Sequence, residues 1–111
     1  MRGRLNDAAR LALIEESIRN IEGFLVDTKD CASFAANKIL CHAVIYNLQC
    51  IGESVYRLSR EFTDSHPEMD WEAIEGLRHV LVHDYYTVNM EMVWVIIERD
   101  LPRLRDYLSE I

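Results

Sequence analysis

Residues 78 to 86 read Arg-His-Val-Leu-Val-His-Asp-Tyr-Tyr. Nine positions hold an anion-binding guanidinium, two imidazoles that titrate near neutrality, a carboxylate and two phenols. Three chemistries suit these side chains. In the first, Arg78 pairs with a nearby carboxylate, His83 and Asp84 close a helix terminus, and the tyrosines pack at a bundle end. In the second, His79 and His83, four residues apart and within about 40° of each other on a helix, hold a metal. That spacing recurs by chance, and no matched carboxylate or third histidine accompanies it. The third is acid-base chemistry on RNA. A histidine takes the proton of a ribose 2′-hydroxyl while an arginine presents its planar fork of donors to the phosphate as charge develops. Only RNA supplies that internal nucleophile. The products are a 2′,3′-cyclic phosphate and a 5′-hydroxyl, and no metal is required. A helix C-terminus and the adjacent Asp84 favour protonated His83, which lets it alternate between base and acid.

Geometry sets a condition on the pair Arg78 and His83. Five residues turn a continuous helix by about 500°, leaving the two side chains some 140° apart. They converge if the helix ends between them, or if two copies of the segment meet across a two-fold axis.

The elements that must position these residues are helical. Leu11, Ile14, Ile18, Ile21 and Leu25 recur at spacings of three and four, predicting a helix from about Leu5 to Val26 that Asp27 to Asp30 break. Leu40, Val44, Leu48, Ile51, Val55, Leu58 and Phe62 mark a second helix, from about Ser33 to Phe62. It is longer than a small bundle needs. Its extra apolar positions Cys41, Ala43 and Ile45 point to a second buried face. Thr63 to Met69, with its His66-Pro67 step, reads as a loop. Asp70 caps a third helix whose stripe is Trp71, Ile74, Leu77 and Leu81, and which frays near His83. Asn89 caps a fourth, running to the end on Val93, Ile97, Leu101, Leu104, Leu108 and Ile111, with a kink at Pro102. The expected fold class is all-α: an antiparallel bundle of four main helices.

The chain of 111 residues reads as one domain, residues 1–111, half of it hydrophobic, with four glycines and two prolines. Nineteen acidic and twelve basic side chains give a net charge of −7, which argues against nucleic-acid binding through the overall field. Any RNA contact must rest on a local basic site drawn from Arg57, Arg60, Arg78, Arg103 and Arg105. Cys31, Cys41 and Cys50 have neither zinc-knuckle nor redox-pair spacing and are expected to be reduced and partly buried. No signal-like apolar run follows the N-terminus and no span is long enough for a membrane, so a soluble, cytoplasmic protein is expected.

The motif Arg78, four residues, His83, one residue, Tyr85 resembles the Rx4HxY motif of HepT-type toxins in the HEPN superfamily of small helical ribonucleases. His79 suits the polar residue that often follows the arginine. The similarity extends through "NLQCIGESVYRLS" (47 to 59), "HPEMDWEAIEGLRHVLVHDYY" (66 to 86) and "VWVIIERDLPRL" (93 to 104). It covers the last two thirds of the chain closely and the first helix by pattern. The resemblance implies a HEPN-like helical homodimer whose motifs meet in a cleft, with Arg78 and His83 catalytic and His79 and Asp84 in support. It implies an endoribonuclease that needs no cofactor, restrained by a minimal nucleotidyltransferase antitoxin (MntA-like) that attaches AMP to Tyr85 and can join it in a higher assembly. Glu53 either orients Arg78 or caps internal polar groups. Tyr46 and Tyr86 read as packing residues, His42 and His66 as surface or loop residues. The alternative is a non-catalytic helical dimer that binds a nucleotide or its nucleotidyltransferase partner.

Overall fold

A computed structural model describes residues 6–83 and 89–111, the side chains of 79–83 excepted. The described residues form helices α1 (Asp7–Phe24), α2 (Cys31–Ala36), α3 (Lys38–Tyr56), α4 (Arg60–Ser65), α5 (Trp71–His83), α6 (Met90–Val95) and α7 (Leu101–Glu110), with a π-helical stretch at Ile96–Asp100. No strand occurs among them, so the all-α expectation holds. None of these helices is long and apolar enough to cross a membrane.

Side-chain caps open the helices α1 to α6. Asn6 accepts from the Ala9 amide at 2.8 Å and opens α1; the predicted start at Leu5 lies outside the described residues. Ile14, Ile18 and Ile21 are completely or almost completely buried, each contributing about 1.5–3 kcal/mol of transfer free energy. The single long helix predicted over 33 to 62 is instead three helices. Asn37 leaves the helical region and its side chain accepts from the Leu40 amide at 3.0 Å, closing α2 and opening α3. Ser59 does the same for α4, accepting from Phe62 at 3.0 Å. Asp7 fixes this second break, accepting from the Ser59 amide at 2.9 Å and its hydroxyl at 2.6 Å. The apolar period from Leu40 to Phe62 runs through the break at Ser59, which is why periodicity alone overlooks it. The predicted loop shortens accordingly, because Thr63 to Ser65 belong to α4.

Central helix α3 packs against α1 and α5, and also touches α2. This explains its second apolar face without a second subunit: Cys41 and Ile45 are buried within the chain itself, the Cys41 thiol donating to the Phe34 carbonyl at 3.2 Å. All three cysteines are free. Asp70 caps α5 through the Ala73 amide at 3.1 Å, as expected. Asn89 caps α6 through Glu91 and Met92. The predicted kink at Pro102 takes the form of the π stretch just before it, where the Leu101 amide reaches back to Ile96. Widening the helix there accommodates a residue that lacks an amide hydrogen and would crowd the carbonyl four positions back. Val93, Leu101, Leu104 and Leu108 are buried, whereas Ile111 is half exposed and drops out of the predicted stripe.

An aromatic cluster of Phe62, His66, Trp71 and Tyr107 ties the loop before α5 to α7. His66 is a loop residue as expected, but its ring is partly buried against Phe62. Tyr107 donates to Glu68 at 2.6 Å, which pushes the phenol up to about 12 and holds the Glu68 carboxyl below its usual range. The raised phenol adds stability that is whole below its ordinary pKa of 10.0 and lost as pH rises through about 12. The depressed carboxyl adds stability that is whole above its ordinary 4.5 and lost as pH falls through the folded value. Tyr107→Phe should therefore unfold at lower urea than the parent near neutrality, with the gap narrowing at both pH extremes. A gap independent of pH would show that this bond does not carry the difference.

Candidate functional site

Arg78 lies on α5 where that helix crosses α3. The crossing is close because Gly52 faces it: a Cβ placed there would sit 2.6 Å from the Arg78 backbone nitrogen. A glycine inside a helix is unfavourable by roughly 1 kcal/mol relative to alanine, so its presence calls for a packing reason, and this contact supplies one. The side chain of Arg78 then extends along α3 toward residues one turn beyond the glycine. Its guanidinium carbon stands 3.5 Å from the centroid of the Tyr56 ring, a stacked cation–π contact.

Glu53 stands beside it at a looser distance, 3.9 Å from Oε1 to Arg78 Nη1. The short contact of Glu53 is with Arg57, at 2.7 Å from its other oxygen. A separation of 3.9 Å between partly exposed groups adds little energy, so Tyr56, not Glu53, is the principal support of the Arg78 head group. Two guanidiniums share one carboxylate here. The Nε of Arg78 is buried without a hydrogen-bond partner among the described residues. Such a vacancy costs about 1–3 kcal/mol and shows that the crossing dictates the side chain's place.

A groove of about 610 Å³ opens from Arg78 along α1 and α3. Ser17 and Asn20 line it from α1, Tyr46, Asn47 and Ser54 from α3. Tyr46, expected to pack internally, is 65% exposed there. The Cys50 thiol one turn on pushes the phenol above its usual range.

The backbone of α5 is helical from Trp71 through His83, so the helix does not end between Arg78 and His83. The first of the two routes by which these side chains could converge is therefore closed. The side chains of His79 and His83 lie outside the described residues, as do Asp84, Tyr85 and Tyr86. Of the residues singled out from the sequence, the structure thus brings Arg78 and Glu53 together. Gly52, Tyr56 and the groove residues Ser17 and Asn20 were missed. Gly52 carried a signal, a glycine in the middle of a strong helical pattern; Tyr56 carried none, since an exposed tyrosine at a helix end is ordinary.

Of the five arginines considered for RNA contact, Arg57 is paired with Glu53, and Arg105 with Glu22 at 2.6 Å and Asp106 at 3.1 Å.

Known proteins are similar to this chain. The family model described as Ribonuclease HepT-like matches residues 14–111. A protein of Caldanaerobacter subterraneus subsp. tengcongensis whose name designates it an RNase is 35% identical over 78 residues, covering 70% of this chain and 70% of its own. A Methanocaldococcus jannaschii protein, also named as an RNase, is 32% identical over 92 residues, covering 83% and 84%. A protein of Thermococcus cleftensis named probable ribonuclease HepT is 34% identical over 106 residues, covering 94% and 87%. No solved structure matches this chain significantly.

Proposed function

This chain belongs to the HepT-like ribonuclease family, and on that premise we propose that it is the toxin of a toxin-antitoxin pair: a dimeric, metal-independent endoribonuclease acting through Arg78 and His83, silenced by AMP on Tyr85. The observation that carries this reading is the presentation of Arg78. Held on the face of Tyr56 at the mouth of an open groove, it is a cation whose supporting carboxylate is already engaged with Arg57. A phosphate is an anion that such a planar fork can hold through two parallel hydrogen bonds.

His83 lies five residues on from Arg78 along the same helix, and an imidazole titrates near neutrality, so it can serve as base and as acid. The α5 backbone turns through about 500° between positions 78 and 83, and that turn favours a cleft in which two copies face each other. In that cleft a neutral His83 removes the 2′-hydroxyl proton, the 2′-oxygen bonds to phosphorus, and the bond to the 5′-oxygen breaks. An imidazolium, His83 of the partner subunit, gives that oxygen its proton. Arg78 stabilises the charge gathering on the non-bridging oxygens.

Silencing follows from the same charges. The Tyr85 phenol oxygen attacks the α-phosphorus of ATP, pyrophosphate leaves, and the phenol proton passes to solvent or a base. The tyrosine then carries an anionic phosphodiester and a purine two residues from His83, competing with RNA for the guanidinium.

End-group analysis tests the reaction. RNA cut by the unmodified protein in excess chelator should carry 2′,3′-cyclic phosphates and 5′-hydroxyls; 5′-phosphate ends, or cleavage that requires added metal, would sink the mechanism. Intact mass tests the regulation. Co-expression with a neighbouring nucleotidyltransferase should add adenylate-sized increments that vanish in Tyr85→Phe, and increments that persist would place the modification elsewhere.

A further inference from the structure

The groove beside Arg78 has a composition that phosphate binding alone does not explain. Ser17, Asn47 and Ser54 are the buried polar side chains of the described core, and all three line this one groove. Their gathering along a single groove gives its wall polar groups that a bound molecule can meet. Asn47 is locked in place, donating to the Ala43 carbonyl at 2.9 Å and accepting from the Asn20 amide at 3.1 Å. That bond in turn fixes Asn20, an exposed residue on α1 whose amide retains an acceptor oxygen and a second N–H. Gln49 adds another amide to the lining. Side by side, donor and acceptor of an amide match the edge of a nucleobase.

Charge narrows the occupant further. Arg78 is the single cation among the described lining residues, while Glu16 and Glu53 line the groove with negative charge. A run of phosphates would be repelled along it. One phosphate at Arg78 with an uncharged base beyond it would not. The exposed face of Tyr46 supplies a platform on which a base can stack, and about 610 Å³ is within the range of small-molecule sites.

We propose that this groove is a nucleobase subsite, in which Tyr46 stacks on the base adjoining the phosphate held by Arg78 and the Asn20 and Gln49 amides read its edge. The proposal rests on the ribonuclease reading for the identity of its ligand as part of an RNA strand. It makes the enzyme selective for one base beside the cleaved bond.

Binding to a protein that cannot turn over separates the two readings. The full chain carrying His83→Ala is titrated with each of the four nucleoside 3′-monophosphates and with inorganic phosphate. At least one nucleotide should bind tighter than inorganic phosphate. Tyr46→Ala should weaken that nucleotide roughly five- to 150-fold, the usual range for loss of base stacking, and leave phosphate unchanged. Tyr46→Phe should retain the affinity, and Asn20→Ala should level the preference among bases. Circular dichroism of each variant confirms the fold. Nucleotides that bind no better than phosphate, or that ignore Tyr46→Ala, overturn the subsite even if the parent protein cuts RNA. Base-selective binding by a protein whose unmodified form cuts no RNA keeps the subsite and overturns the cleavage mechanism. Tyr46→Ala that changes only the sedimentation coefficient assigns the groove to a second copy of the chain and rejects the proposal.

Discussion

Arg78→Ala should lower the initial rate of RNA cleavage by roughly 10²- to 10³-fold, the loss typical of removing one group that stabilises transition-state charge. The fold should survive. What the side chain contributes to it is a cation–π contact with Tyr56 and a loose approach to Glu53, together on the order of 1 kcal/mol at a site one third exposed. A large kinetic effect with a small shift in denaturation midpoint is therefore the expected signature. Arg78→Lys sharpens the test, because it keeps the charge but loses the planar fork that can lie on Tyr56 while contacting phosphate. It should recover only part of the rate. His83→Ala should cost roughly 10²- to 10⁴-fold, as for general acid-base residues, and the double variant should fall short of the product of the two. Cleavage near the parent rate in Arg78→Ala would remove the guanidinium from the mechanism.

Gly52→Ala should destabilise the protein by about 1–3 kcal/mol, against the trend for glycine in helices. Two effects oppose each other. Alanine is favoured over glycine in a helix interior by roughly 1 kcal/mol. Its Cβ, however, would stand 2.6 Å from the backbone nitrogen of Arg78 and 3.1 Å from its Cβ. A backbone atom cannot rotate away, so α3 and α5 must separate, and overpacking outweighs propensity. Gly76 provides the control. It lies on α5, and a methyl group added there would meet nothing within 4 Å, so Gly76→Ala should gain about 0.4–1 kcal/mol. Urea midpoints of the two variants should move in opposite directions. Because the same crossing positions Arg78, Gly52→Ala should also depress cleavage beyond any loss of folded protein. Equal stabilisation by both substitutions would show that the helices separate at no cost.

Gly52 and Gly76 mark where sequence reading stops. Both sit within helical patterns, and nothing in their neighbours distinguishes them; only the position of α5 over α3 makes one a packing requirement. The helix breaks at Asn37 and Ser59 fall between these extremes. Both residues are of types that cap helices, yet the apolar stripe from Leu40 to Phe62 continues past Ser59 without losing its period. The contact that fixes this break, Asp7 to Ser59, comes from a helix 52 residues away.

By itself the sequence determined the helical class, because side-chain period and capping chemistry are local. It also determined that Arg78 and His83 stand five residues apart in a motif resembling that of small helical ribonucleases, and the buried stripes of Ile14, Ile18 and Ile21 and of Val44, Leu48, Ile51 and Val55. Tertiary structure alone decided the rest. It put Arg78 on the ring of Tyr56, made Gly52 the point where two backbones touch, covered Cys41 and Ile45 within one chain, and gathered Ser17, Asn47 and Ser54 along one groove. Those facts depend on where helices cross, and a crossing is set by the surfaces of two distant segments at once, which no local pattern encodes.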